Sequence, residues 1–258
     1  RGKNGSGKTY AYLIYMLNYC YSPSFFVRNG RYKSIIIILP TTELCQQVCH
    51  VFKSWLKFKD MKKANVNLFQ CNDMNHHTLK VDFKKCFNII ASTPDCLISC
   101  MENGFIRKKV LKKSVFRLII DDVDQLLLDG NENQLNKIAA LVPERCHSII
   151  ISNDPSCDLT KLKNFVRTPP YVMTLDESDS IKVEVIPCNV FQHYIYCDEK
   201  DKAYVFFQLW IAEFFFEDAV IFTNSIEKSS WLKLFLEQFG LKSEVISFAS
   251  LSTSNQHI

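Results

Sequence analysis

Four short apolar-rich runs constrain this chain most: "SIIIILP" at 34–40, "FNIIAS" at 87–92, "FRLIIDDVD" at 116–124 and "CHSIIISND" at 146–154. A strand with one wet face alternates apolar and polar residues. A strand apolar at nearly every position is buried on both faces, as in a parallel sheet covered by helices. The stretches between these runs carry the helical period. In "TTELCQQVCHVFKSWLKF" the residues Leu44, Val48, Val51 and Trp55 share one face, and Thr41 or Thr42 can cap the start. "TPDCLISCM" reads as a helix start with Pro94 at its first position, and "NQLNKIAALV" and "LTKLKNFVR" read as helices. "TPPYVMTLD" is strand-like. Strands alternating with helices predict βαβ units, hence an α/β fold with a mostly parallel sheet.

The polar, acidic stretch "DESDSIKVEVIPCN" interrupts this rhythm. It predicts a linker over 178–188, separating a first domain (1–177) from a second (189–258). In the second, "FQHYIYCD", "DAVIFTN" and "KSEVISF" read as strands. "EKDKAYVFFQLWIAEFF" and "SIEKSSWLKLFLEQFG" read as helices, the latter stopped by Gly240. Its aromatics Phe206, Phe207 and Trp210 are expected in a core, and Phe214–Phe216 either there or facing the missing part of the second domain. Three strands are few for this architecture, and no strand precedes the opening loop. Both ends read as cuts, so the expectation is a fragment.

"RGKNGSGKTY" opens the chain, and Gly2 to Thr9 fit G-x-x-x-x-G-K-[ST]. The glycines turn backbone N–H groups inward around phosphate oxygens. Lys8 would reach the β and γ phosphates, and the Thr9 hydroxyl would ligate Mg²⁺. The following helix, "TYAYLIYML", points its N-terminus at the anion. Chemistry on a triphosphate also needs a metal-holding acid at the carboxyl end of a nearby strand. Asp121, directly after Leu118-Ile119-Ile120, supplies one. Unpaired acids are costly to bury, so that strand end is expected to open into a wet cleft.

Composition narrows the partners. The net charge of +4 permits contact with a polyanion without requiring it. The basic knots Lys62-Lys63, Arg107-Lys108-Lys109 and Lys112-Lys113 read as solvated surface, and His76-His77 as a polar loop. A chain 47% hydrophobic with 20 Phe can build a sizeable core. Its 11 cysteines lack zinc spacing: Cys45/Cys49 and Cys96/Cys100 are four apart on expected helices. They read as small buried hydrophobes, so no zinc is expected. Reduced thiols fit a cytosolic or nuclear setting. No apolar run approaches the ~18–20 residues of a membrane span.

Together, "GKNGSGKT", "PTTELCQQ", "STPDC", "IIDDVDQLL", "IISND" and "AVIFTNS" resemble, in order and spacing, the motifs of the DEAD-box RNA helicases. The resemblance covers the whole chain. Within the family, "VIFTNSIEKSSWLKLFLEQFG" and "VDQLL" look most like the nucleolar helicases of large ribosomal subunit assembly. The resemblance implies two RecA-like domains that close on ATP and on single-stranded RNA, with hydrolysis resetting the clamp. It also implies a nuclear, nucleolar location, ribosomal RNA precursor as substrate and pre-ribosomal proteins as possible partners.

Carried over by position, Gly5, Ser6, Gly7, Lys8 and Thr9 handle the nucleotide, and Thr9 and Asp121 hold Mg²⁺. Asp122 stands where the family has the glutamate that orients the attacking water. Asp124 is the acid that contacts the Ser-Ala-Thr motif, here Ser152-Asn153-Asp154. Pro40, Thr41 and Glu43 match the first RNA-backbone motif, Thr93 and Pro94 the second, and Thr223 and Asn224 an RNA motif of the second domain. Several positions depart from the pattern. Asp122 is one methylene shorter than glutamate. Thr42 and Cys96 each replace an arginine, which removes charge-assisted phosphate contacts. Asp154 replaces a threonine and brings a carboxylate toward Asp124, where like charges repel. These changes weigh on unwinding rather than on ATP binding. The adenine-reading glutamine motif would precede Arg1 and the late arginine motifs would follow Ile258, so this stretch alone is expected to hydrolyse ATP poorly. The competing reading is a degenerate core that binds ATP or RNA as a scaffold. A P-loop ATPase acting on DNA fits the motif set less well.

Overall fold

In the structure, a computed structural model, the described residues are 5–21, 27–28, 31–57, 66–71, 87–143, 145–154, 157, 159–162, 164–165, 170–174, 191, 193–212 and 219–246. The chain divides into two compact units, Arg1–Ser180 and Ile181–Ile258. The expected linker, 178–188, lies outside the described residues.

The first unit opens on α1 (Lys8–Tyr21), followed by a two-residue antiparallel pair, β1 (Val27–Arg28) and β2 (Arg31–Tyr32). Then come β3 (Ser34–Ile38), α2 (Thr42–Leu56), β4 (Val66–Cys71), β5 (Phe87–Ser92), α3 (Pro94–Glu102) and α4 (Lys108–Ser114). The unit continues with β6 (Val115–Ile120), α5 (Val123–Leu128), α6 (Glu132–Leu141), β7 (His147–Ile150) and a short 3₁₀ turn (Leu159–Leu162). Five strands form one sheet in the order β4-β5-β3-β6-β7, and every pairing is parallel.

The isoleucine run explains why β3 is central. Ile35 and Ile37 turn to one face and pack with Leu13 and Met16 of α1 and Val48 and Phe52 of α2. Ile36 and Ile38 turn to the other, against Leu97 of α3, Leu126 of α5 and Leu135 of α6. All four are at most 1% exposed. Each such burial stabilises the fold by about 1.5–3 kcal/mol. The register is Ile38 opposite Ser92 on β5 and Ile120 on β6, and Ile120 opposite Ile150 on β7. Parallel pairing therefore brings the carboxyl ends of four strands to one edge.

Several elements are not evident in the amino-acid pattern. "VNLFQC" is the edge strand β4, half-buried, with polar Asn67 and Gln70 interrupting its apolar run. The basic knots at 107–109 and 112–113 lie on or beside α4, whose Leu111 is buried while the lysines are exposed. Lys62-Lys63 and His76-His77 fall outside the described residues, and residues 170–174 form no strand.

The second unit contains a 3₁₀ turn (Glu199–Asp201), α7 (Lys202–Ile211) and α8 (Ile226–Glu237). Gly240, at φ 77°, ends the turn after α8, where the Leu241 N–H donates to the Leu236 carbonyl at 3.1 Å. Phe207 lies tilted against Phe239 with ring centroids 3.9 Å apart, and Phe235 meets both rings. Phe214–Phe216 lie outside the described residues. The three runs expected as strands differ from expectation: 193–198, 219–224 and 241–246 form no ladder among the described residues. A strand exists only as one partner of a ladder, and an apolar run has no strand geometry to keep without one. Among the described residues, no helix is long and apolar enough to cross a membrane.

Candidate functional site

The site lies at the carboxyl edge of the sheet. Gly5 and Gly7 both take left-handed backbone, φ 77° and 80°, which a side chain would strain. The loop thereby turns directly into α1, whose first bond runs from the Ala11 N–H to the Gly7 carbonyl at 2.9 Å. Lys8 Nζ donates to Ser6 Oγ at 3.4 Å. Gly2 and its two successors are outside the described residues.

β6 ends at Ile120, and Asp121 follows, its N–H donating to the Ile38 carbonyl at 2.9 Å. The ladder to β3 thus continues one residue and fixes the position of the acid. The Thr9 hydroxyl donates to Asp121 Oδ2 at 3.3 Å, joining residues 112 apart in sequence. Oδ1 accepts the Asp122 N–H at 3.0 Å. Asp121 is only 3% exposed. Burial pushes its carboxyl up to about 6, and the neighbouring charge of Asp122 adds to the rise. The buried Tyr12 hydroxyl, one turn along α1 from Thr9, lies beside Asp121 without a well-formed hydrogen bond.

Asp122 is the one non-glycine residue with positive φ among the described residues, at φ 49°, ψ 49°. Its Oδ1 accepts from Asn153 Nδ2 at 2.7 Å. Asp124 Oδ1 accepts the Asn153 N–H at 3.1 Å and lies 3.2 Å from Ser152 Oγ. The single Ser152 proton is shared in turn with the Asp154 carbonyl at 2.9 Å, while the Ser152 oxygen accepts the Asp154 N–H. Asp154 itself is exposed, where water screens its charge. The loop, Asp121, Asp122 and Asn153 line one cleft of about 280 Å³, walled on its apolar side by Leu39, Leu44 and Val48. This volume is at the low end for ligand pockets.

The two RNA-motif candidates of this unit are helix starts. Thr41, not Thr42, caps α2, accepting the Leu44 N–H at 3.3 Å, and Thr42 donates to Glu43 Oε1 at 3.0 Å. Thr93 caps α3, accepting the Cys96 N–H at 3.4 Å, with Pro94 buried at the first helical position. Because β3 and β5 are paired in register, both caps emerge at the same edge, beside Pro40. Cys96 is 4% exposed and packs in the core, so the position that carries an arginine in the family pattern here holds a buried thiol. Thr223 and Asn224 belong to the second unit. Thr223 Oγ1 donates to the Ser225 carbonyl at 3.1 Å, just ahead of α8, which Ser225 caps through the Lys228 N–H.

The family model for DEAD/DEAH box helicases matches residues 1–161. The chain belongs to this family. "DEAD-box ATP-dependent RNA helicase 16" of Oryza sativa subsp. japonica is 36% identical over 264 residues, covering all of this chain and 38% of the rice protein. "ATP-dependent RNA helicase DBP9" of Saccharomyces cerevisiae is 30% identical over 268 residues, covering all of this chain and 43% of the yeast protein. The chain thus spans about two fifths of these curated relatives. Among solved structures, a DEAD box protein from Methanococcus jannaschii superposes with a TM-score of 0.52 at 19% identity, covering 95% of this chain and 60% of that one. A yeast dbp5 variant solved with gle1 and ip6 gives 0.59 at 18%, covering 93% and 54%. These likenesses establish the fold, an α/β RecA-like DEAD-box architecture.

One residue of the site is not marked as functional by the amino-acid pattern: Asn153, the middle of the motif after β7. An amide where the family pattern has alanine is the signal that points to it.

Proposed function

We propose that this chain is part of an ATP-dependent RNA helicase whose ATP hydrolysis is coupled to binding and remodelling RNA. The relatives named above carry that activity in their names. The subfamily resemblance extends the proposal to ribosome biogenesis: ribosomal RNA precursor as substrate, pre-ribosomal proteins as partners, and the nucleus and nucleolus as the place.

The observation that carries the reading is the Thr9 hydroxyl on the Asp121 carboxylate at 3.3 Å, beside a glycine-shaped anion cradle. Hard oxygen donors of this kind suit Mg²⁺, so Thr9 and Asp121 would hold it. When bound, ATP supplies the phosphoryl group, and Mg²⁺ neutralises charge that develops on it. Gly5, Ser6 and Gly7 present backbone N–H groups to phosphate oxygens, and Lys8 meets the terminal phosphates. Asp122 accepts a hydrogen bond from the attacking water and orients it. Asp124, through Ser152 and the 153–154 backbone, ties this chemistry to the motif that senses it. Pro40, Thr41, Glu43, Thr93 and Pro94 offer the sheet edge of the first unit to RNA backbone, and Thr223 and Asn224 are the RNA-contacting candidates of the second unit.

The test is RNA-stimulated ATPase of the full-length protein against its Lys8→Ala variant. Turnover that rises with RNA and falls to background in the variant is expected. Lys8-dependent nucleotide binding with no turnover at any RNA concentration would replace the enzyme with a scaffold.

A further inference from the structure

Two positions that depart from the family pattern touch each other. Asp122, a methylene shorter than the family's glutamate, accepts a hydrogen bond at 2.7 Å from Asn153, which stands where the family has alanine. We infer that Asn153 is a positioning residue, holding the Asp122 carboxylate where it orients the attacking water, and that the two act as a unit. The inference rests on the helicase reading above and deepens it.

Three observations place Asn153 for this task. First, the backbone supporting it is fixed on both sides: the Ile151 N–H donates to the Ile120 carbonyl at 2.9 Å, and the Val123 N–H to the Ile151 carbonyl at 3.0 Å. The segments carrying Asp122 and Asn153 therefore run side by side past the ends of β6 and β7. Second, the Asn153 N–H is held by Asp124 at 3.1 Å, so its side chain leaves a fixed point. Third, both side chains line the same cleft as Lys8 and Thr9. A carboxylate only accepts, so the amide must present its NH₂ group. That leaves Asp122 Oδ2 with no partner among the described residues and able to accept from water. A hydrogen bond to a charged acceptor is stronger than a neutral one and restrains the side-chain torsions of an aspartate in left-handed backbone. Alanine at 153 cannot reach. A carboxylate displaced by ~1 Å can cost on the order of 10²-fold in rate, so the pair has a measurable consequence.

The experiment uses the full-length protein with Mg²⁺, a polyuridine RNA and mant-ADP, with and without aluminium fluoride, alongside steady-state ATPase. Asn153→Ala is expected to lower kcat about tenfold or more while mant-ADP affinity stays within about twofold. It is also expected to lose the tightening that aluminium fluoride brings. Asp122→Glu placed in the Asn153→Ala background is expected to restore turnover, and to gain less in the native background. Asn153→Asp, equal in size but a like charge against Asp122, is expected to be worse than alanine. Additive effects of the two substitutions, an Asn153→Asp variant as active as the native chain, or an unchanged aluminium fluoride response in Asn153→Ala would each overturn the pairing. A native chain that binds no mant-ADP, or binds it equally with Lys8→Ala, instead sinks the helicase reading and the pairing with it.

Discussion

The two units share one amino-acid rhythm, apolar runs alternating with helical stretches, and end in different places. In the first, β3 is paired on both sides and covered on both faces, so Ile35 to Ile38 are at most 1% exposed. In the second, the run at 219–224 has no ladder among the described residues, and Phe222 is 93% exposed. Apolar residues alone do not make a strand. The backbone N–H and C=O groups need neighbours, and the side chains need faces to bury against.

Hydrogen exchange should separate the regions most widely. Amides of Ile36, Ile37 and Ile119 are expected to exchange only through global opening, with protection of ~10³-fold or more. Those of Ile221 and Phe222 should exchange close to the free-chain rate. Comparable protection at both places would erase the contrast. Next in size is side-chain truncation. Ile37→Ala should lower the stability of the first unit by about 2–5 kcal/mol in urea titration, whereas Phe222→Ala should change that of the second unit by less than about 0.5 kcal/mol. Equal losses would mean that Phe222 is buried in solution.

Caps provide a finer comparison, because each unit has one of the same chemistry. Thr41→Ala and Ser225→Ala each remove a side-chain acceptor from a helix N-terminus, at 3.3 Å and 3.2 Å. Each should cost about 0.5–2 kcal/mol. A cap effect in α2 alone, read by circular dichroism melts, would mark α8 as marginal. The smallest effect belongs to Glu199, which pairs with Lys202 and Lys228. Hydrogen bonds from these lysines hold its carboxyl down at about 2. A depressed carboxyl contributes stability above its unfolded value, and that contribution is lost as pH falls through the folded value. Because the group is fully exposed, salt should screen the pair. A carbon-detected NMR titration should find the Glu199 midpoint below the ordinary glutamate value at low salt, shifted upward by Lys228→Ala or by about 0.5 M salt. A midpoint insensitive to both would rule out the pair.

The first unit is legible in the sequence for specific reasons. Continuous isoleucine and leucine runs admit few environments besides a doubly covered parallel strand. Pro94 and, in the second unit, Gly240 mark a helix start and a helix stop through their backbone limits. The opening loop stands out because few residue orders place glycines, lysine and a hydroxyl at this spacing. β4 is not legible, since an edge strand needs no uninterrupted apolar run. α5 is hidden because "VDQLLL" is six residues long, too short for helical period to show. The choice between Thr41 and Thr42 also needs coordinates, because both can cap and only the extended backbone at Thr41 does.

Composition and order alone determined the fold class, the glycine-lysine-threonine motif, the acid that follows β6 and the family, since each depends on local period or short-range spacing. Only the folded chain decided which groups meet: Thr9 with Asp121 across 112 positions, and Asn153 with Asp122 across 31. Such meetings follow from the parallel register that gathers strand ends at one edge. Register is a property of strand pairs, and no single stretch of sequence contains it.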